Sequence, residues 1–422
     1  MGSLDFYSLS LIFVFLAGYT FIAIEHVVRI DKATVALLTG VLCWTILFAS
    51  PTVICENPTS CLNEHVSYIS QIVLFLMGAL AIVELISLHK GFRLISNIIQ
   101  IGSKKSFLWI MSFLTFFLSA VLDNLTTTIV MISLLQKLLP KDEDRLLIGG
   151  AVVIAANAGG AWTPIGDVTT TMLWIGGQVS TLSIMSHLFA PSIVSCVASV
   201  FILSYMLKEN NIPQIPDREQ STEPMGSAIF FLGLGALIFV PIFKILTGMP
   251  PFMGVFLGLS ILWIFSDIAH KDQQDRAHLR MTQVFARLEL SSLLFFLGIL
   301  LAIAALDSAG LLIQLANVLN AYIGNDVIIA TVIGLASAVV DNVPLVAGTM
   351  GMYTLEQYPP DHSFWQLIAF CAGTGGSILI IGSAAGVMFM GLEKVDFFWY
   401  VRRISLAAIA GYFAGIAVYL LF

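Results

Sequence analysis

Apolar positions in this chain do not alternate with polar ones; they run together. Stretches of about 20 apolar residues, enough to cross roughly 30 Å of hydrocarbon as helix, extend from Phe6 to near Ile24, Ala33 to Ser50, Ile69 to Ser87 and His187 to Leu207. Others cover Ser227 to Leu246, Phe252 to Ile268, Leu290 to Leu306 and Phe398 to Phe422. The pattern predicts an all-α polytopic membrane protein. Four stretches depart from it. Residues 107–139 are mostly apolar, interrupted at the centre by "DNLTTT", and arms of about 16 residues reach only about 24 Å. They predict a re-entrant hairpin with Asp123, Asn124 and the hydroxyls of Thr126, Thr127 and Thr128 at its tip. Residues 326–357 predict a second, with Asp341, Asn342 and Pro344 at its tip; a long kinked helix is the plainer alternative for both.

Behind each hairpin comes a segment that reads as a broken helix. "NAGGAWTPIGD" (157–167), within a broken helix over 145–175, holds three glycines, a proline and polar Asn157, Thr163 and Asp167. Thr163 is expected to cap the restart, with Pro164 first in the new helix. "CAGTGGSILIIGSAAG" (371–386), within a broken helix over 364–390, carries five glycines with Thr374, Ser377 and Ser383. Close packing through small residues competes with this reading. Unwound backbone at membrane depth is tolerated only where protein or a cavity surrounds it, and it frees carbonyl oxygens for a cation.

These four features form two sets. "SAVLDN" (119–124) returns as "SAVVDN" (337–342), and "LFLMGALAIVELISLHKG" (74–91) resembles "LFFLGILLAIAALDSAG" (294–310), all at an offset of about 216 to 220 residues. Two repeats follow, 1–220 and 221–422, each with three helices, a hairpin, a broken helix and a final helix. Five crossings per repeat force the second to enter upside down, an inverted-topology repeat.

Composition agrees and adds orientation. The 422 residues are 58% hydrophobic and 11% charged, outside the range of soluble domains. Asp5 and the lack of a basic N-terminal region favour a retained first helix over a cleaved signal peptide. With "VVRIDKA" cytoplasmic, all of the 19 lysines and arginines except Lys244 fall inside, and both termini lie outside. The expected setting is a bacterial inner membrane. Cys55 and Cys61 stand in an outer loop where a disulfide is one option, whereas Cys43, Cys196 and Cys371 sit in apolar runs.

An acid inside an apolar run is a functional hypothesis by default. Two tips and two breaks meeting inside the protein would offer carboxylate, amide, hydroxyl and carbonyl oxygens, the donors a small hard cation needs. A desolvated carboxylate also holds protons more tightly, so H⁺ competes with Na⁺ or Li⁺. That competition is the chemistry of an antiporter.

The phrases "SAVLDNLTTT", "NAGGAWTPIGDVTTT", "SAVVDN" and "GTGGSILIIGSAAG", in this order and spacing, resemble the NhaD-type sodium/proton antiporters of the ion-transporter superfamily over nearly the whole chain. The resemblance implies two inverted repeats, often assembled as a homodimer. It implies roles for Asp123, Asn124, Asn157, Asp167, Thr169, Thr170, Ser337, Asp341, Asn342, Ser377 and Ser383. With Thr126, Thr127, Thr163 and Thr374 these complete the candidate cation and proton site. Na⁺ is expected at Asp123, Asn124, Asn157 and Asp167, and at Asp341, Asn342 and Ser377. No cofactor is expected; the partners are Na⁺, with Li⁺ as an option in its place, H⁺ and the bilayer, without nucleic acid.

Glu84, about one turn from the cytoplasmic end of its helix, is either a proton relay or a snorkelling side chain. Glu25 and His26 read as interfacial and Asp307 as solvated. The basic amphipathic stretch 90–105 is expected to lie along the cytoplasmic interface. Two alternatives accompany the antiporter. A sodium-coupled dicarboxylate or oxyanion carrier on the same scaffold is disfavoured by Asp-Asn at the tips, where such symporters carry Ser-Asn-Thr, and by the absence of Lys and Arg from the four phrases. An intramembrane aspartyl protease is disfavoured by the hydroxyls and asparagines around both aspartates.

Overall fold

Polar residues at the ends of the apolar runs set where helices begin. The computed structural model describes residues 5–50, 57–98, 103–207, 223–271 and 279–421. Asp5 accepts a hydrogen bond from the Ser8 N–H and opens α1 (Phe6–Ala23); after the turn α2 (Glu25–Val28), Asp31 accepts from Ala33 and opens α3 (Lys32–Ala49). Asn57 caps α4 (Pro58–Leu88), with Pro58 in the first helical position. After α5 (Arg93–Ile98), the chain makes α6 (Lys104–Leu122), α7 (Asn124–Leu138), α8 (Glu143–Gly160), α9 (Val168–Ile175) and α10 (Thr181–Ser204). Their caps are Ser103, Asp123, Asp142, Asp167 and Ser180. Then follow α11 (Gly226–Thr247), α12 (Pro251–Ala269), α13 (Met281–Arg287), α14 (Leu290–Ser308) and α15 (Leu311–Tyr322). The chain ends in α16 (Asp326–Ala336), α17 (Asn342–Met352), α18 (Ser363–Gly375), α19 (Ala384–Glu393), α20 (Phe397–Arg403) and α21 (Ser405–Leu421).

Among the described residues there is no strand, and eight helices are long and apolar enough to cross a membrane; α20 and α21, bent by 53° at Ile404, make a ninth if taken as one. The protein is an all-helical, multi-pass membrane protein. Its helices pack in two groups. In one, α3 lies against α1 and α14, and α4 against α11, α12 and α14. In the other, α6 and α7 pack on α8, α16 and α17 on α18, and α10 on α21; α7 also meets α19, as α17 meets α9.

The second group is built around α8 and α18. Every residue from Leu147 to Gly160 and from Phe364 to Gly375 is buried, as a helix without a polar face must be. Small residues permit this. A Cβ on Gly159 would lie 2.1 Å from the Phe116 carbonyl oxygen of α6, and one on Gly375 would lie 2.0 Å from that of Gly334 on α16. At the other end of the group, buried Arg145 at the start of α8 pairs with fully buried Glu393 at the end of α19 at 2.6 Å.

Several boundaries differ from those expected. The first arm, α6, has 19 residues and is by itself long enough to span, because Ser103 caps it four residues ahead of the apolar stretch. Helix α4 begins at Pro58, well before Ile69, because the Asn57 cap extends it across polar residues. Thr163 does not cap the restart of the first broken helix. Asp167 does, accepting from the Thr169 N–H, while the Thr163 hydroxyl donates to the Ala120 carbonyl on the neighbouring arm. Helix breaks fall where expected, at 161–167 and 376–383. The Cys55–Cys61 pairing involves Cys55, and the 90–105 stretch includes 99–102; these lie outside the described residues. Cys43, Cys196 and Cys371 are buried free thiols.

Candidate cation site

The starts of α7 and α17 meet at one carboxylate of the first helix break, and Asn157 joins the second break to the same network. Asp167, 1% exposed, is fixed first by its local role: it caps α9, its Oδ1 accepting from the backbone N–H and the hydroxyl of Thr169, each at 2.9 Å. The first tip adds Asn124 Nδ2, donating to Asp167 Oδ2 at 2.7 Å. The second adds Asn342 Nδ2, donating to the same oxygen at 3.2 Å and to Oδ1 at 3.4 Å. One acid thus ties residues 218 positions apart, each the first residue of its helix.

Asn157 makes the second junction. Its Oδ1 accepts from Asn124 Nδ2 at 3.0 Å, and its Nδ2 donates to the hydroxyls of Ser377 and Ser383, each at 2.9 Å. The first broken helix is thereby joined to the second. Ser383 accepts a further bond from the Gly386 N–H as cap of α19. Asn124, Asn157, Asp167, Asn342, Ser377 and Ser383 therefore form one buried, connected polar network.

The remaining candidates stand around it. The hydroxyls of Ser337, Thr170 and Thr374 donate to the carbonyls of Ala372, Asp167 and Phe370, leaving only oxygen lone pairs to offer. Thr127 is buried, and its hydroxyl has no hydrogen-bond partner among the described residues. The two tip aspartates lie outside the network. Asp123 spends its oxygens on the N–H and hydroxyl of Thr126, both at 2.8 Å, and takes φ 84°, ψ 156°. That backbone region is essentially reserved for glycine and costs of order 1–3 kcal/mol for other residues. Asp341 has an ordinary φ of −48°, accepts from the Val343 N–H, and its own N–H donates to the Tyr19 hydroxyl on α1 at 2.9 Å. Glu84 is half-buried on α4 and is not hydrogen-bonded to the network. Asp307 is one-third exposed and 4.0 Å from His65, so it is less open to water than expected.

Three contributors were not among the sequence candidates. Ser119 donates to the Ala156 carbonyl at 2.6 Å, the match of the Ser337–Ala372 bond. It was findable, since it opens the repeated phrase. Tyr400, donating to the Ser377 carbonyl at 2.8 Å, and Tyr19 belong to no phrase and carry no sequence signal.

A buried array of carboxylate, amide and hydroxyl groups at paired helix breaks, among helices of membrane length, is the kind of arrangement that membrane carriers use to bind their cargo. The comparisons narrow the class. A family profile described as "Citrate transporter" (CitMHS) matches residues 19–368. Sodium/proton antiporter 1 of Arabidopsis thaliana is 52% identical over 96% of this chain and 70% of its own length. Sodium/proton antiporter 2 of the same plant is 51% identical over 96% and 97%. Na(+)/H(+) antiporter NhaD of Alkalimonas amylolytica is 30% identical over 96% and 89%. The chain belongs to the citrate-transporter family and, within it, to the NhaD-type sodium/proton antiporters.

Proposed function

We propose that the protein exchanges Na⁺, and Li⁺ with the same ligands, for H⁺ by competition at carboxylates in the site. The observation that carries this is Asp167, a buried acid receiving an asparagine from each tip. A bare carboxylate buried this deeply is costly unless compensated. Two amides, a hydroxyl and a backbone N–H compensate it, and a cation or a proton would do so further. The names of the relatives at 51–52% identity favour Na⁺ and H⁺ as the ions.

The finer reading assigns Asp123, Asn124, Asn157 and Asp167 to one Na⁺ and Asp341, Asn342 and Ser377 to another, with Thr126, Thr127, Thr163, Thr169, Thr170, Ser337, Thr374 and Ser383 contributing oxygens or holding the ligands. The free hydroxyl of Thr127 and the strained backbone at Asp123 support the first assignment, because strain that survives selection clusters at functional sites. Asn342 on Asp167 couples the two. Glu84 is the proposed relay on the cytoplasmic side.

The architecture is read as two inverted repeats, 1–220 and 221–422, with α6–α7 and α16–α17 as re-entrant hairpins. Support comes from equivalent packing: α6 on α8 with α16 on α18, α7 on α19 with α17 on α9, and the close glycines Gly159 and Gly375, which are 216 positions apart. Both termini are read as lying outside the cytoplasm and the assembly as a homodimer. The membrane is read as the inner membrane of a bacterium; the relatives come from a plant and from bacteria. A dicarboxylate carrier is disfavoured because the four phrases contain no Lys or Arg to hold an anion.

The test is dequenching of a pH-sensitive dye in everted vesicles on addition of Na⁺, with K⁺ and succinate as controls. A response to Na⁺ alone is expected; a response to succinate without one to Na⁺ overturns the reading.

A further inference from the structure

Lys244 is the basic residue that breaks the inside bias of the other 18, and it lies within an apolar helix, α11. An ionisable group there needs a partner. It has one in α9, the two-turn helix that Asp167 opens. Lys244 Nζ donates to the Trp174 carbonyl at 2.7 Å and lies 4.3 Å from the centre of the Trp174 ring. Two residues earlier, the Tyr68 hydroxyl of α4 donates to the Met172 carbonyl at 2.9 Å. Helices α4 and α11 pack on each other and belong to the first helix group; α9 belongs to the second.

We propose that Lys244 and Tyr68 are positioning residues for Asp167, acting through the C-terminal turn of α9. The last carbonyls of a helix have no partner within it, and they carry its negative dipole end, which a cation stabilises. A charge-assisted bond is roughly twice as strong as a neutral one. Helix α9 has only eight residues, Val168–Ile175, so its tail and head move together. Sliding the tail by about 1 Å carries Asp167 and Thr169 off the two asparagines by a similar distance, beyond the roughly 0.5 Å that a binding constellation tolerates. Trp174 is 1% exposed and keeps this junction dry.

The inference rests on the exchange reading for its transport assay but not for its structural one. In everted vesicles, Lys244→Met keeps the apolar stem and removes the ammonium. It is expected to raise the Na⁺ concentration for half-maximal dequenching about three- to tenfold, part of the factor of ten or more that one hydrogen bond to a charge is worth, because the lost bond acts on Asp167 only through α9. The maximal rate per folded transporter should stay near wild type. Lys244→Arg restores the wild-type midpoint, and Tyr68→Phe shifts it in the same direction as Lys244→Met. A merely structural role predicts less folded protein and a lower maximal rate at an unchanged midpoint. Where Lys244→Met does not fold, Tyr68→Phe decides. Amide hydrogen exchange of residues 168–176, which needs no cation, should accelerate in both variants. Unchanged amide exchange with an unchanged Na⁺ midpoint overturns the proposal. Wild-type vesicles silent to Na⁺ overturn the exchange reading instead, and the amide measurement then decides the positioning role alone.

Discussion

Replacing Asp167 by asparagine is the sharpest test of the site, because the carboxylate accepts from four groups: Asn124, Asn342, and the N–H and hydroxyl of Thr169. In Asp167→Asn the amide oxygen can still accept from Thr169 and cap α9. The new NH₂ group must then face the NH₂ group of Asn124, donor against donor, and Asn342 keeps at most its 3.4 Å bond to Oδ1, now to a neutral oxygen. Turning Asn124 over does not help, since its NH₂ also serves Asn157 Oδ1 at 3.0 Å. Two hydrogen bonds to a charge are lost, at about 1.5–3 kcal/mol each, so about 3–6 kcal/mol that held the two tips to one point disappears. Each 1.4 kcal/mol is a factor of ten, and the coupling of tips to break should fall by two orders of magnitude or more. Because the cap survives, the fold is expected to survive, with a lowered melting temperature in detergent. The assay is Na⁺-driven dequenching in everted vesicles, normalised to folded protein by size-exclusion chromatography. No exchange is expected in Asp167→Asn at any pH. Wild-type exchange in this variant would refute both the central role of Asp167 and the competition at its carboxylate.

Asp123→Asn and Asp341→Asn are each expected to abolish Na⁺-driven dequenching while expression is maintained, since a carboxamide forms hydrogen bonds without exchanging a proton; normal exchange in both would remove them from the mechanism. Apparent Na⁺ affinity should weaken about tenfold for each pH unit below the carboxylates' pKa, per competing proton, so activity rises toward alkaline pH, and a Na⁺ midpoint that stays flat as pH falls argues against competition. Gly159→Ala and Gly375→Ala should each lower the melting temperature, because the added Cβ would meet a carbonyl oxygen at 2.1 and 2.0 Å and the backbones must move apart; overpacking of this kind costs about 1–3 kcal/mol, and unchanged melting would contradict the close approach. Ser383→Ala removes both the α19 cap and one of the Asn157 partners, and should cost about 1 kcal/mol from the cap, read as a lower melting temperature.

The amino-acid sequence by itself determined the class, the membrane helices and where the helix breaks fall. Runs of some 20 apolar residues have one low-energy setting, and polar or glycine-rich phrases inside such runs are too costly to be incidental. It also singled out nearly every residue of the network, because the same phrase recurs at the same offset. What it did not decide is which of those residues touch. Asp123 and Asp341, the most conspicuous acids in the sequence, stand beside the network as helix caps, while Asp167, one polar residue among several in its phrase, sits at its centre. That choice is tertiary: all three acids cap a helix start, and only the packing of the helices brings Asn124 and Asn342 to Asp167. Tyr19, Tyr68 and Lys244 were likewise assigned by the fold alone, since each acts on a residue more than a hundred positions away, or in Lys244's case seventy, across the boundary between the two helix groups, and no local pattern records a contact of that kind.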